Sequence, residues 1–218
     1  MRVVGDSYQY IILDWDGCLA NTMDVVLGTL KEELLKEGIL TTDREIIDKA
    51  FGKWLNGFAS FGVVNPQDFF SRFYTTLESK LQKPELFDGV KSVLTALKRT
   101  RKKLALLVPE NKNLVEKALT NLEIKSYFDQ IYTKRGVDDN KNDGESLVHV
   151  LDLLGGTKRK ALFVGNSPRD VIRGKRAGIT TIIYFPESNH KFYKLDDFEK
   201  LGAKVVIKNF RRLLDFVD

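Results

Sequence analysis

The sequence predicts an α/β fold: a parallel-sheet core with a small all-helical domain inserted after the first strand. Three observations predict it. Short apolar runs alternate with helical patterns along most of the 218 residues, as strand–helix–strand units do when they build a parallel sheet. The alternation stops between about residues 20 and 84, where every pattern is helical. Two of the apolar runs end in polar turns that carry carboxylates.

The first strand is the apolar run 9–13, which ends in Asp14-Trp15-Asp16-Gly17. Helical patterns follow over about 23–36, 42–50, 53–61 and 66–81. Thr41 or Thr42 suits the cap of the second, and Gly38 suits the end of the first. Strand-like runs then recur at 104–108, 130–133, 161–164, 180–184 and 204–207. Helical patterns at 90–97, 114–122, 146–154 and 168–177 separate most of them. Pro168 fits a first helical turn and Gly178 a helix exit. The expected organisation is a core of residues 1–19 and 85–218 with a helical domain over 20–84. An insertion at that point sits above the carboxyl ends of the strands, where open α/β sheets bind ligands.

With 43% hydrophobic and 30% charged residues, the chain can bury a proper core. It has no apolar stretch of membrane-spanning length and no signal-like N-terminal run, so a cytoplasmic protein is expected. A single cysteine, Cys18, allows no internal disulfide and no Cys zinc cluster. Cys18 itself reads as a small packing residue. Two distant histidines make Ser-His-Asp chemistry a poor candidate. The net charge of +5 suits an anionic small-molecule partner. The basic clusters at 98–103, 158–160 and 173–176 read as solvated helix ends. They lack the interleaved aromatics of a base-stacking surface, so no specific nucleic acid is expected. The sequence leaves oligomeric state open.

Asp14 and Asp16 stand two residues apart at a strand end, so the turn can bring both carboxylates to one site. Like charges that close call for a cation or a shared proton, and a hard ion such as Mg²⁺ takes oxygen ligands. The run 161–164 leads into a second such turn, Gly165-Asn166-Ser167-Pro168-Arg169-Asp170. Lys141 lies in a polar loop between the two turns.

The stretch from Leu13 to Thr22 resembles the first motif of the haloacid dehalogenase (HAD) superfamily, DxDGTLxDS/T. The stretch from Phe163 to Asp170, continuing to Ala177-Gly178-Ile179, resembles its fourth motif. Lys141 falls at the third-motif lysine, and 103–108 matches the second-motif strand. The resemblance covers nearly the whole chain in the right order. It implies a Rossmann-like HAD core with the helical cap of phosphoglycolate phosphatase-like and β-phosphoglucomutase-like members.

By the same resemblance, Asp14 is the nucleophile that forms an aspartyl phosphate. Asp16 is the general acid and base. Lys141 binds the phosphoryl group. Mg²⁺ falls to Asp14, Asp16 and the fourth motif with Asn166 and Asp170. Lys53 in the cap reaches for an anionic substrate. The implied function is an Mg²⁺-dependent phosphomonoester hydrolase acting on a small phosphorylated metabolite. The alternatives are a HAD-fold binding protein with weakened catalysis, and another HAD reaction such as phosphomutation or dehalogenation.

Two positions depart from the family pattern. Val108 stands where the second motif carries Ser or Thr, and Pro109 behind it has no N–H to donate. Asn111 or Ser167 is a candidate replacement donor. Asn166 replaces an aspartate, which removes a negative charge but keeps a carbonyl oxygen for a hard ion.

Overall fold

The computed structural model describes residues 8–51, 54–108, 112–133 and 144–217. Lys53, Pro109, Asn111 and Lys141 lie outside the described residues.

Strands β1 (Tyr10–Asp14), β2 (Lys103–Val108), β3 (Gln130–Thr133), β4 (Ala161–Gly165), β5 (Thr180–Tyr184) and β6 (Val206–Ile207) form one sheet. Its order is β3-β2-β1-β4-β5-β6 and every pairing is parallel. From β1 the chain proceeds to β2 on one side, while β4 pairs on the other. The sheet therefore has its topological switch point at the carboxyl ends of β1 and β4. Asp14 is the last residue of β1, and Leu13 pairs with Val164 just before the Gly165–Asn166 turn.

Side-chain alternation assigns the two faces. Ile11, Leu13, Leu104, Leu106, Leu162 and Val164 pack with Val93, Leu94 and Leu97 of helix α5 (Val90–Arg99) and Val115 and Leu119 of α6 (Lys112–Asn121). Ile12, Ala105, Leu107 and Phe163 pack on the opposite face with Leu147, Val150 and Leu151 of α7 (Glu145–Leu153). Burial on both faces explains why these strands read as continuous apolar runs.

The insertion after β1 contains α1 (Met23–Lys36), α2 (Asp43–Ala50), α3 (Trp54–Ala59) and α4 (Pro66–Lys80). Thr42 caps α2 in a reciprocal capping box with Glu45, and Asn65 caps α4 ahead of Pro66. Leu27, Leu30 and Leu34 of α1 face Phe69, Phe73 and Leu77 of α4 in a separate apolar core. Phe58 meets Phe69 edge-on, with ring centroids 4.9 Å apart. Glu33 is buried there and accepts a bond from Thr76 Oγ1 at 2.8 Å.

Helix α8 (Pro168–Ala177) follows β4 and ends at Gly178, whose φ of 68° is the left-handed exit expected. Five short features among the described residues were not expected from the sequence: 3₁₀ stretches over Lys125–Tyr127, Lys158–Lys160, Glu187–Lys191 and Phe210–Phe216, and a short α9 over Leu195–Lys200. Each is too short to show a helical period. The last strand is also shorter than the expected run 204–207, because it pairs on one side only and Lys204 is exposed.

Candidate active site

The first turn is shaped by Gly17, at φ 71°, a conformation that strains any residue with a Cβ. The Trp15 carbonyl accepts the N–H groups of Leu19 and Ala20 at 3.0 Å each, which closes the chain tightly behind Asp14. The Trp15 side chain is buried in the core under this turn. Cys18 is fully buried, its Sγ 3.6 Å from the Val164 carbonyl, and burial followed by Asp14 and Asp170 pushes its thiol up. It is a packing residue, as its neighbours dictated.

Asp14 accepts the Trp15 N–H on Oδ1 at 2.8 Å, while its other oxygen has no partner among the described residues. Burial pushes its carboxyl well above the usual carboxylate range. Asp170 and Asp16 add to this by repulsion, and Arg173 opposes it. Asp16 is held by the Thr22 hydroxyl, which donates to Oδ1. Thr22 is the residue from which α1 departs, so the orientation of Asp16 is tied to the start of the insertion.

The second turn is organised by Asp170, which is 1% exposed. Its Oδ2 accepts the backbone N–H groups of Asn166 at 3.1 Å and Ser167 at 3.0 Å, and the Ser167 hydroxyl at 2.7 Å. Its Oδ1 accepts Nη1 of Arg173 at 3.0 Å. Both oxygens are engaged in the turn and the ion pair, so Asp170 holds the loop in shape. Asn166 is buried beside Gly17, its Nδ2 3.4 Å from Met23 Sδ at the start of α1.

The structure thus brings Asp14, Asp16, Asn166, Ser167 and Asp170 to the switch point. Val108 ends the neighbouring strand, but its side chain is 1% exposed and belongs to the apolar core, so it presents no polar atom. Arg173 departs from the reading of its cluster as a solvated helix end. Its side chain is 18% exposed and pairs with Asp170. Lys102, expected among solvated cations, is buried and donates to the Tyr8 carbonyl at 2.8 Å.

Two site residues escaped sequence reasoning, and both come from the strap after β5. Asn189 is buried and donates Nδ2 to the Gly17 carbonyl at 2.9 Å. Tyr193 lies where the insertion's apolar core meets the cluster of Val171, Ile183, Phe185 and Phe198. Between them, Lys191 bridges to Asp24 at 2.9 Å and to Asp43 at 3.1 Å, both on the insertion.

A hard divalent cation fits this donor set. Asp14 has an oxygen without a partner among the described residues and a carboxyl under repulsion, and Asn166, beside the first turn, carries a neutral carbonyl oxygen. Among the described residues no three His, Cys, Asp or Glu side chains converge as a metal cluster, so from these residues backbone and amide oxygens would complete such a site.

Known proteins resemble this chain in sequence and in fold. A Listeria monocytogenes protein named pyrophosphatase PpaX is 26% identical over 209 residues, covering 90% of this chain and 94% of its own. An Aquifex aeolicus phosphoglycolate phosphatase is 26% identical over 181 residues, covering 80% and 84%. The crystal structure of CbbY from Rhodobacter sphaeroides in complex with phosphate superposes with a TM-score of 0.79 at 16% identity, covering 96% of this chain and 99% of that one, and so shares the fold. Among the described residues, no helix is long and apolar enough to cross a membrane. The family model for haloacid dehalogenase-like hydrolases matches residues 11–184, and the chain belongs to that family.

Proposed function

We propose that this hydrolase is an Mg²⁺-dependent phosphatase that acts on a small phosphorylated metabolite through an aspartyl phosphate at Asp14. The observation that carries the reading is the Asp14 carboxylate. It sits at the switch point with one oxygen unengaged among the described residues, near a second carboxylate held in place by Thr22. The curated relatives named above as a pyrophosphatase and a phosphoglycolate phosphatase support phosphoester or phosphoanhydride cleavage.

Asp14 attacks phosphorus as the bond to the leaving oxygen breaks, and Asp16 gives that oxygen its proton. Asp16, now a base, takes a proton from water as the water attacks the acyl phosphate, which frees phosphate and restores Asp14. Thr22 keeps Asp16 aimed through both steps. Asp14, the Asp16 carbonyl and Asn166 would hold Mg²⁺, which when bound offsets negative charge on the phosphoryl group and on Asp14. Lys141 and Lys53 are assigned to the phosphoryl group and the substrate, with Asn111 as a further donor. Residues 20–84 act as a cap over the core of 1–19 and 85–218.

The test is phosphate release from a panel of phosphorylated metabolites, with Mg²⁺ and then with EDTA. Metal-dependent release that Asp14→Asn lowers by about 10⁴-fold or more, with the fold intact, is the expected outcome. Unchanged turnover in that variant removes Asp14 as nucleophile. Phosphate binding without release across the panel supports instead a binding protein, the reading favoured by the apolar Val108 beside the site.

A further inference from the structure

After β5 the chain returns to the first turn as a strap, and the fixed point of that strap is Asn189. Asn189 is 1% exposed, and its backbone is bonded on both sides. Its N–H donates to the Pro186 carbonyl at 3.0 Å, and its carbonyl accepts the N–H groups of Phe192 and Tyr193 at 3.0 Å each. The insertion grips the strap just beyond it. Lys191 bridges Asp24 and Asp43, and the Phe192 ring lies 5.1 Å from that of Phe51. From this frame Nδ2 of Asn189 reaches the Gly17 carbonyl at 2.9 Å, across 172 positions of sequence.

What that bond fixes follows from the residues before Gly17. Asp14 is the last residue of β1 and pairs with Leu107, so the sheet holds its backbone. Asp16 lies beyond the strand, where a single bridge to Ala20 replaces the ladder. Gly17 follows it at φ 71°, and a glycine has no Cβ to hold its peptide planes in place. Two bonds hold them instead. The Gly17 N–H donates to the Ala20 carbonyl at 2.8 Å, and the Gly17 carbonyl accepts Nδ2 of Asn189. Thr22 holds the end of the Asp16 side chain, and Asn189 holds the backbone next to its root.

The other half of the amide shows that packing alone does not account for asparagine at 189. Its Oδ1 is buried with no hydrogen-bond partner among the described residues. A buried polar atom left unsatisfied costs free energy, and an apolar side chain of similar volume avoids that cost. The donor to Gly17 is what asparagine supplies there and leucine does not.

We propose that Asn189 is a positioning residue that, by tethering the Gly17 carbonyl, aims the Asp16 carboxyl at the leaving oxygen. The assignment rests on the phosphatase reading above and adds to it a residue on the strap that acts through Asp16.

Asn189→Leu removes the donor and the unsatisfied oxygen and keeps most of the volume. With Mg²⁺ present, kcat/KM of the full chain is measured on two esters: p-nitrophenyl phosphate, and the ester with the most basic leaving oxygen among those the parent cleaves. p-Nitrophenolate departs with little need of a proton, whereas a basic oxygen needs one from a well-aimed Asp16. The expected loss is about 10- to 100-fold on the basic ester and less than about threefold on p-nitrophenyl phosphate, since only part of general acid catalysis is forfeited. A merely structural residue lowers Tm and both rates alike. Equal losses on the two esters, or no loss on either, overturn the assignment. Should Asn189→Leu fail to fold, Asn189→Ala removes the same donor from a smaller side chain and is read by the same ratio. If the parent's turnover depends on Asp14 while the variants keep its ratio between esters, only this inference falls. If the parent releases phosphate from no ester, the phosphatase reading falls and takes this inference with it.

Discussion

Replacing Asp170 with alanine tests whether one buried carboxylate holds the turn after β4. Asp170 accepts two backbone N–H groups, one hydroxyl and one guanidinium. The variant leaves the Arg173 guanidinium, 18% exposed, without its carboxylate. Breaking a buried pair from one side costs about 3–5 kcal/mol. The freed N–H of buried Asn166 adds about 1–3 kcal/mol unless water reaches it. Relief of repulsion on Asp14 acts the other way. A net loss of about 3 kcal/mol is expected, which shifts a urea midpoint by roughly 1.5 M at a slope of about 2 kcal/mol/M. Circular dichroism and tryptophan fluorescence should show the same transition. A double-mutant cycle with Arg173→Met isolates the ion pair and should give a coupling of about 1.5 kcal/mol or more. A loss below about 1 kcal/mol, or strict additivity in the cycle, would refute the claim that Asp170 organises the turn.

Gly17→Ala places a Cβ 2.3 Å from Asn166 Nδ2 and 2.4 Å from Met23 Sδ at a φ of 71°, so the first turn is strained and the Asn166 and Met23 side chains must shift. Turnover should fall about 10²-fold or more in steady-state assays, as small misplacements of reacting groups do. Asp129 is buried enough to raise its carboxyl, but bonds from Lys98, the Leu104 N–H and Lys103 outweigh this and lower it from 3.8 to about 2. Its stabilisation is therefore present above about pH 4 and lost as pH falls toward 2. The shift sets a ceiling of about 2.4 kcal/mol, and the exposure of Lys103 reduces it to about 1 kcal/mol. Asp129→Asn should lose that amount at pH 7 and nothing near pH 2, read from urea midpoints at both.

The sheet was legible because its strands are buried on both faces and read as unbroken apolar runs. Asp14 was legible because it ends the first of them. The helical insertion showed itself through the spacing of Phe69, Phe73 and Leu77 and through the Thr42 cap. Sequence reasoning named Asn166 and Asp170 but not their division of labour. A carboxylate that caps a turn and one that faces a ligand look alike until hydrogen bonds are assigned. Arg173 looked like any cation near a helix end, since only the position of Asp170 turns it inward. Asn189 and Tyr193 carried no signal at all. They belong to a short irregular segment, and Gly17, which Asn189 holds, lies far away in sequence. Such contacts exist only once β5 is laid beside β4.

The same division of labour gives a reason for asparagine at position 166. Arg173 balances Asp170, so the charges left facing the ligand are those of Asp14 and Asp16, which one divalent cation neutralises. A third aspartate at 166 would add a charge with no described cation to meet it. Asn166→Asp should therefore act with opposite signs on the two states. Without metal, repulsion among Asp14, Asp16 and the new carboxylate should lower Tm. With Mg²⁺, a carboxylate in place of an amide gains Coulomb energy of up to about 4 kcal/mol at protein-surface dielectric, before desolvation and repulsion are subtracted. The remainder should tighten Mg²⁺ binding at least about tenfold by calorimetry. A variant that binds Mg²⁺ no more tightly than its parent would mean that position 166 does not face the ion, and that its role is the contact with Met23 and Gly17 alone.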